Sequence, residues 1–347
     1  MDFLKAIGNE FTGFWGLGAL TDILKSGNYS KFLTYEGVVS LLVPITPFLL
    51  LFEIIRAAFY KRFKVIDYKI PFFTYVLNAF VGRVISIAMI GLCIKWFLPL
   101  ALFKATFTWY WFIYGYVVWE LAHFVYHYLA HKVRLLWCLH STHHAPETMN
   151  LSVTYAHFFL EGPYADLIRT SICILLGVPP AMIFVIMFID GFWGSLIHVG
   201  ENVIKDARLG FLNNIILTPS HHRVHHARNI VYMDTNFCNL LNIWDRAFGT
   251  YYPEDRNIPI EYGISRPMLK NSFLDAYFGE IVALAKDVYR APGIKNKVLY
   301  IFMPPGWSHT GDHKMTSVVR KKYFEELSKH QTSPQETIPQ NSPMLGA

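Results

Sequence analysis

The chain has 347 residues, enough for one large domain or two ordinary ones, and 53% of them are hydrophobic and 16% aromatic. A mean hydropathy of +0.29 is too apolar for a typical soluble enzyme and points to a membrane-embedded fold. The net charge of +6 is spread without a basic stripe or a nucleic-acid motif, so it reads as affinity for an anionic membrane face. Four cysteines, Cys93, Cys138, Cys173 and Cys238, lie far apart in apolar surroundings and imply neither a disulfide framework nor a paired-cysteine zinc site.

Residues 1–35 mix glycine, aromatic and charged residues, with helical spacing at Phe11, Phe14 and Trp15; they are expected to lie along the interface, with no signal segment to remove. Residues 37–55 form an apolar run long enough to cross a hydrocarbon core, which takes about 20 helical residues, with Pro44 and Pro47 kinking it. Arg56, Lys61, Arg62, Lys64 and Lys69 follow, and by the positive-inside rule this basic segment is cytoplasmic. Residues 71–94 run back across with Arg83 as the one awkward charge, and residues 105–127 return through an aromatic belt that includes Trp109, Tyr110, Trp111 and Tyr114.

Between residues 156 and 199, Gly177-Val178-Pro179-Pro180 separates two apolar halves of about ten residues, each reaching about 15 Å as helix. This predicts either a hairpin dipping partway into the membrane or a pair of crossings. Glu161, Asp166 and Arg169 in its first half form an ion network or line a cavity. Residues 272–290 have the pattern of an amphipathic helix, residues 298–303 are too short to span, and Pro304-Pro305-Gly306-Trp307 ends them. A tail rich in Ser, Pro, Gln and Asn is expected to be disordered. The implied organisation is an interfacial segment (1–35), a membrane and catalytic domain (36–271), a peripheral helical region (272–331) and a tail (332–347).

Three histidine clusters stand out: His127-x3-His131, His140-x2-His143-His144 and His222-x2-His225-His226. On helices, partners three or four residues apart share a face, so each cluster presents imidazoles in one direction. Eight histidines exceed what one tetrahedral zinc uses, about four ligands, so two metals are the economical reading. Imidazole suits zinc, copper, iron and nickel alike. Crossing parity places all three clusters and His198 on the side of the basic segment. His157, His309, His313 and His330 have no such pattern and read as ordinary polar histidines.

At these clusters, and at Trp119-Glu120, Asn150-Leu-Ser, Thr218-Pro-Ser, Asp234-Thr-Asn236 and Asn242-Ile-Trp-Asp-Arg-Ala-Phe-Gly-Thr250, the sequence resembles the fatty acid hydroxylase and sterol desaturase superfamily of membrane di-iron oxygenases. The flanks of the third cluster and the Pro-Pro-Gly-Trp segment are most similar to the alkylglycerol monooxygenase branch. The resemblance implies an all-α integral membrane protein, a helical platform under a cytoplasmic cap, facing the cytoplasm from a bacterial inner membrane or the endoplasmic reticulum. It implies two Fe ions held by His127, His131, His140, His143, His144, His222, His225 and His226, with His198 as a further family histidine. His123-x3-His127 offers a competing first pair, though it shifts the spacing from Glu120, and His221 competes with His222.

The family often has Asp at the Glu120 position and Trp-x-His-Arg where this chain has Val125-Tyr126-His127-Tyr128, departures that touch substrate choice more than metal binding. Glu120, Asp234, Asn236 and Asp245 are candidates to accept the outward imidazole N–H, and Asn202, four residues after His198, to join it as ligand or hydrogen-bond partner. The chemistry implied is O2-dependent hydroxylation of a lipid C–H bond, with desaturation and divalent-metal transport as alternatives. No dinucleotide fingerprint or haem-attachment motif occurs. Electrons are thus expected from an external donor, a reduced pterin or a reductase chain ending in an electron-donor protein.

Overall fold

The first apolar run becomes two helices with a proline between them. In the computed structural model, which describes residues 15–269 and 272–332, α1 (Leu17–Ser26) precedes α2 (Tyr35–Leu42) and α3 (Ile45–Phe59). Pro44 caps α3, and Pro47 sits in its first turn, where a missing N–H costs no helical bond. The expected disordered tail and the first part of the expected interfacial segment lie outside the described residues. Among the described residues the fold is all-helical, without strands, and only the isolated bridges Ile216–Leu241 and Ala227–Tyr262 pair as β structure.

After the basic turn come α4 (Val65–Leu77), a π-helical turn (Asn78–Gly82) and α5 (Arg83–Phe97). Tyr35–Phe59 and Val65–Leu100 are each long and apolar enough to cross a membrane. Only 28% and 17% of their most apolar windows are buried within the protein, and side chains such as Phe52, Ile55, Phe72, Val84 and Ile87 face outward. Such apolar exteriors suit lipid rather than water.

The long helix α6 (Trp109–Lys132) carries the first histidine pair on its last turns, and α7 (Arg134–His144) follows after a single extended residue, Val133. The segment at 156–199 forms α8 (Glu161–Leu175) and α9 (Pro180–Leu196). At 15 and 17 residues these exceed the expected ten-residue halves, because Glu161, Asp166 and Asp190 are buried inside the bundle and so belong to the helices while lowering their hydropathy. Their turn contains Gly177 at φ 82° and packs on the turn after α5: Leu102 N–H donates to Leu175 O (2.9 Å) and Ala105 N–H to Gly177 O (3.0 Å). The hairpin therefore reaches as deep as the far end of the second apolar stretch. Trp119 and Ala122 of α6 meet Cys173, Met182 and Ile186 there, and α6 Gly115 leaves room for Met182, whose sulfur would lie 2.7 Å from an added Cβ.

Short α10 (Pro219–His225) and α11 (Ile243–Ala247), then α12 (Phe273–Arg290), α13 (Gly293–Phe302) and α14 (Thr316–Thr332), complete the platform. Polar groups on the two apolar stretches grip it. Glu53 accepts from Leu151 N–H (2.7 Å) and Gly200 N–H (3.3 Å), Thr74 donates to Tyr155 O (2.8 Å), and Asn78 to His157 O (2.9 Å). Arg169 bonds Asp166 (2.9 Å) and lies 4.0 Å from Asp190, so the ion network expected with Glu161 forms without it.

Arg223 of α10 is fully buried and donates to Val199 O (3.1 Å), Ile204 O (2.6 Å) and Lys205 O (3.1 Å), holding the segment after α9 against α10. Replacing it with methionine leaves three carbonyls without their donor, at about 1–3 kcal/mol for each group left unsatisfied. Arg223→Met is expected to lower the thermal unfolding midpoint of the detergent-solubilised protein by several degrees; an unchanged midpoint would remove this tie from the account.

Candidate metal centre

Nine buried histidines converge at the junction of α6, α7, α9 and α10 and sort into two groups: His127, His131, His140, His144 and His225 in one, His143, His198, His222 and His226 in the other. Within each group the nearest ring nitrogens lie within 4.8 Å of one another. Helix geometry explains the partition. Successive residues turn by about 100°, so positions i and i+4 diverge by only about 40° while i+3 falls about 60° to the other side. His140 and His144 thus enter the first group and His143 the second, whereas His222 and His226 enter the second and His225 the first.

The rings are oriented from outside. His127 Nδ1 donates to Phe237 O (2.9 Å), His225 Nδ1 to Thr235 O (2.8 Å) and His198 Nδ1 to Gly194 O (2.6 Å). His140 Nδ1 pairs with Glu161 (2.6 Å), and His131 Nδ1 with Asp234 (3.3 Å), which Lys132 also contacts. A carbonyl can only accept, so the Nδ1 atoms facing carbonyls carry the proton and their Nε2 atoms point inward as bare lone pairs. His131 Nε2 and His225 Nε2 have no hydrogen-bond partner. His127 Nε2 faces His140 Nε2 at 3.0 Å, and His140 Nε2 faces His144 Nε2 at 3.1 Å.

Lone pairs converging in a buried space are unfavourable unless a cation lies between them. With a metal–nitrogen bond of about 2.1 Å, neighbouring ligands are about 3.0 Å apart in an octahedron and about 3.4 Å in a tetrahedron. The second group has separations of 2.9 Å (His222–His198), 3.1 Å (His226–His222 and His226–His143) and 3.3 Å (His198–His143). The donor set therefore fits two metals. Five nitrogens in the first group exceed zinc's usual four, about the limit of a closed tetrahedral site, and match a six-coordinate metal with an open position.

The other sequence candidates have different partners. Glu120 accepts backbone N–H groups from Asn239 (3.2 Å), Leu240 (2.8 Å) and Leu241 (3.0 Å), and Asp245 accepts from Phe237 (2.7 Å) and Cys238 (2.8 Å). Neither accepts an imidazole N–H; both hold the loop whose carbonyls at 235 and 237 do. Asn236, at φ 57°, bonds His221 O (3.1 Å) and both backbone groups of Tyr252 (2.7 and 2.9 Å) in that same loop. Asp234 alone of the four meets a ring. Asn202 lies outside both groups, exposed and held by Arg56 (2.8 Å) and Arg62 (3.0 Å). His123 points to Asp190 (3.4 Å), and His221 caps α10 through Thr218 and meets Tyr251 OH (2.9 Å).

Glu161 and His157 are the residues that sequence reasoning misplaced. His157 bonds Glu161 (2.9 Å) and stacks on His143 with ring centroids 4.3 Å apart at 12°. Glu161 thereby touches a histidine of the first group and, through His157, one of the second. The i,i+4 spacing of the two was the available signal.

Two cavities share the histidine array as a wall and have no lining residue in common. The first, about 460 Å³, borders His127, His140, His143, His198 and His222 and extends to Tyr75, Ala79 and Ser86 of the second apolar stretch. The second, about 740 Å³, borders His131, His144 and His225 and is otherwise lined from Arg134, Trp137 and residues 227–319.

Burial, reinforced by neighbouring imidazoles, holds His144, His222, His225 and His226 well below the ordinary histidine value, and burial takes His131 down to about 4 against the pull of Asp234. The rings stay neutral in the folded protein while an unfolded chain protonates them near 6.5, so between those values the unfolded state binds more protons. Stability of the metal-free protein is expected to fall as pH drops from about 6.5 toward 4 and to stay level above neutrality. Thermal unfolding across that range checks it; a midpoint that does not move with pH rules the arrangement out.

Residues 112–250 match the family model described as fatty acid hydroxylase. Human alkylglycerol monooxygenase is 34% identical over 188 residues, 54% of this chain and 40% of that protein, and the Xenopus tropicalis protein is 31% identical over the same shares. Ornithine lipid hydroxylase OlsE of Rhizobium tropici is 31% identical over 156 residues, 45% of this chain and 46% of that protein. The chain thus aligns with less than half the length of these curated relatives. No solved structure matches. All nine converging histidines fall inside the matched region, and that region is similar to the fatty acid hydroxylase family and to the alkylglycerol monooxygenases.

Proposed function

We propose that the protein is a membrane-bound di-iron oxygenase that uses O2 to hydroxylate a C–H bond of a membrane lipid. The observation that carries this reading is the pair of histidine groups whose Nε2 atoms converge while five of the nine Nδ1 atoms are held outward. Names of the relatives, alkylglycerol monooxygenase and ornithine lipid hydroxylase, support a lipid hydroxylation.

Bound iron supplies the oxidising power for an unactivated C–H bond. The chain's own residues do the rest. Phe237 O, Thr235 O, Glu161 and Asp234 fix the imidazole orientations, and loss of such contacts typically weakens metal affinity by about 10–100-fold. The first cavity opens from the second apolar stretch toward the rings, so a lipid entering from the bilayer meets the site without leaving an apolar surround. His157 and Glu161 line that cavity beside the histidines. The hydrogen bond between them, with His157 stacked on His143, places a polar pair on the wall where a substrate would lie.

Orientation follows from charge. The basic turn between the two apolar stretches reaches the platform through Arg56 and Arg62; by the positive-inside rule the platform and its metals face the cytoplasm of a bacterial inner membrane or the endoplasmic reticulum. Neither histidine group draws a residue from the candidate membrane stretches, unlike a transport site at mid-membrane.

Two measurements test the reading. Purified protein is expected to hold about two irons, as a two-metal centre requires, with His143→Ala or His225→Ala retaining less than half and His309→Ala retaining all. Supplied with 18O2, a reductant and membrane lipids, the intact protein should release a lipid alcohol carrying the label. An unlabelled alkene would instead assign desaturation, and metal uptake into liposomes without oxygen consumption would assign transport.

A further inference from the structure

α12 and α13 form a hairpin about the turn at Ala291-Pro292, and packing within the protein leaves its outer face uncovered. α12 buries Ala276, Tyr277, Glu280 and Leu284, whereas Leu274, Phe278, Val282, Ala285 and Tyr289 are exposed. At about 100° per residue these five fall within about 80° of one another, a continuous apolar sector. α13 repeats the pattern, with Ile294, Val298 and Phe302 exposed and spread over about 80° by the same spacing. The two most exposed of these side chains, Tyr289 at 85% and Ile294 at 77%, stand on either side of the turn, at the tip of the hairpin.

Charge is sorted around this face. The three acids of α12 turn inward: Asp275 and Glu280 bond Arg266 (3.0 and 2.9 Å), and Arg134 lies 3.8 Å from Glu280 and 3.4 Å from Asp287. α13 has no acid at all. Lys286 and Arg290 are exposed about 40–80° beyond one edge of the apolar sector of α12, and Lys295 and Lys297 flank that of α13. An apolar sector bordered by cations is the pattern of a helix lying in a membrane interface on anionic headgroups. A two-fold contact with a second copy would set the same cations against one another.

The face also continues one already turned to lipid. Phe273, at the start of α12, meets Phe73 of the second apolar stretch with ring centroids 5.3 Å apart, and Phe72 and Val76 of that stretch point outward. On the inner side of α12, Tyr277 OH accepts from Phe159 N–H (3.0 Å), and the Tyr277 and Phe278 rings lie 4.6 and 6.0 Å from that of Phe158. Phe158 and Phe159 line the first cavity. α12 thus joins the apolar exterior to the cavity wall.

We propose that the α12–α13 hairpin lies in the plane of the membrane, its apolar face sunk about 5–10 Å into the headgroup–acyl boundary of the platform-side leaflet and its cations on anionic headgroups. It is an in-plane anchor added to the two spanning stretches. It also holds the wall at Phe158 and Phe159 at the level of the acyl chains, a consequence that rests on the first cavity being the lipid's.

The four native cysteines are buried, so a cysteine placed on the hairpin can be labelled selectively. Full-length protein with Val282→Cys or Val298→Cys carrying a nitrobenzoxadiazole label, in nanodiscs of phosphatidylcholine and phosphatidylglycerol, is expected to lose about half or more of its fluorescence to a lipid with a nitroxide near the top of its acyl chain. The same label at Lys322→Cys, on the exposed side of α14, should lose little. Replacing Lys286, Arg290, Lys295 and Lys297 together by glutamine should speed attack of a membrane-impermeant maleimide on Val298→Cys by about fivefold or more, as should discs of phosphatidylcholine alone. An unchanged thermal unfolding midpoint shows that the variants fold. Quenching at Val282→Cys and Val298→Cys no greater than at Lys322→Cys overturns the proposal, and maleimide rates unmoved by either change of charge overturn the headgroup contact. Protection from maleimide without quenching by lipid, accompanied by Val298→Cys disulfide dimers, assigns the face to a second copy instead. None of these readouts involves turnover, so their failure leaves the oxygenase reading standing, and a protein that oxidises no lipid leaves the anchor standing.

Discussion

A neutral imidazole has one proton to give and one lone pair to offer, and this fold depends on settling which nitrogen does which. At His127, His198 and His225 a backbone carbonyl takes the Nδ1 proton, and at His140 and His131 a carboxylate does. What remains facing inward are lone pairs that would repel one another. Burial deepens the conflict, since water is excluded, and a divalent metal would resolve it. The protein thus buries polar groups whose mutual interaction is unfavourable without a cation, which would make metal binding and folding parts of one process.

The supports lie one step further out. Asp245 and Glu120 never reach a ring; they gather the backbone amides of residues 237–241. Left-handed Asp234 and Asn236 turn the chain so that carbonyls on either side of residue 236 face different helices. Arg223 does the corresponding work for the segment after α9. Glu53, Thr74 and Asn78 then tie this polar assembly to helices whose outer faces are apolar. A membrane bundle with little hydrophobic drive between its helices gains from such interhelical hydrogen bonds.

The convergence of the histidines was legible in the sequence because its information is local. Spacings of three and four residues on a helix fix a shared face whatever surrounds it, and the three clusters carry eight of the nine converging histidines. His198 has no such pattern of its own and came only through resemblance. The partners of the rings were less legible, because they depend on where α8 falls against α7. Glu161 was grouped with its sequence neighbours Asp166 and Arg169, whereas its bonds go to His140 and His157. Helix length was underestimated for a related reason: hydropathy counts charges, and those of α8 and α9 are buried in the bundle, so helices of 15 and 17 residues read as apolar pieces of ten. For Glu120 and Asp245 the polarity was visible, but the target, backbone rather than ring, was set by tertiary contacts.

The crossed assignment of the two HxxHH helices has a mechanical result. α7 gives two rings to one group and one to the other, and α10 with its C-cap His226 does the reverse, so neither group belongs to a single helix and neither helix to a single group. Two ions seated there would act as interlocked rivets: withdrawing either one would free ligands on both helices and loosen the seat of its neighbour.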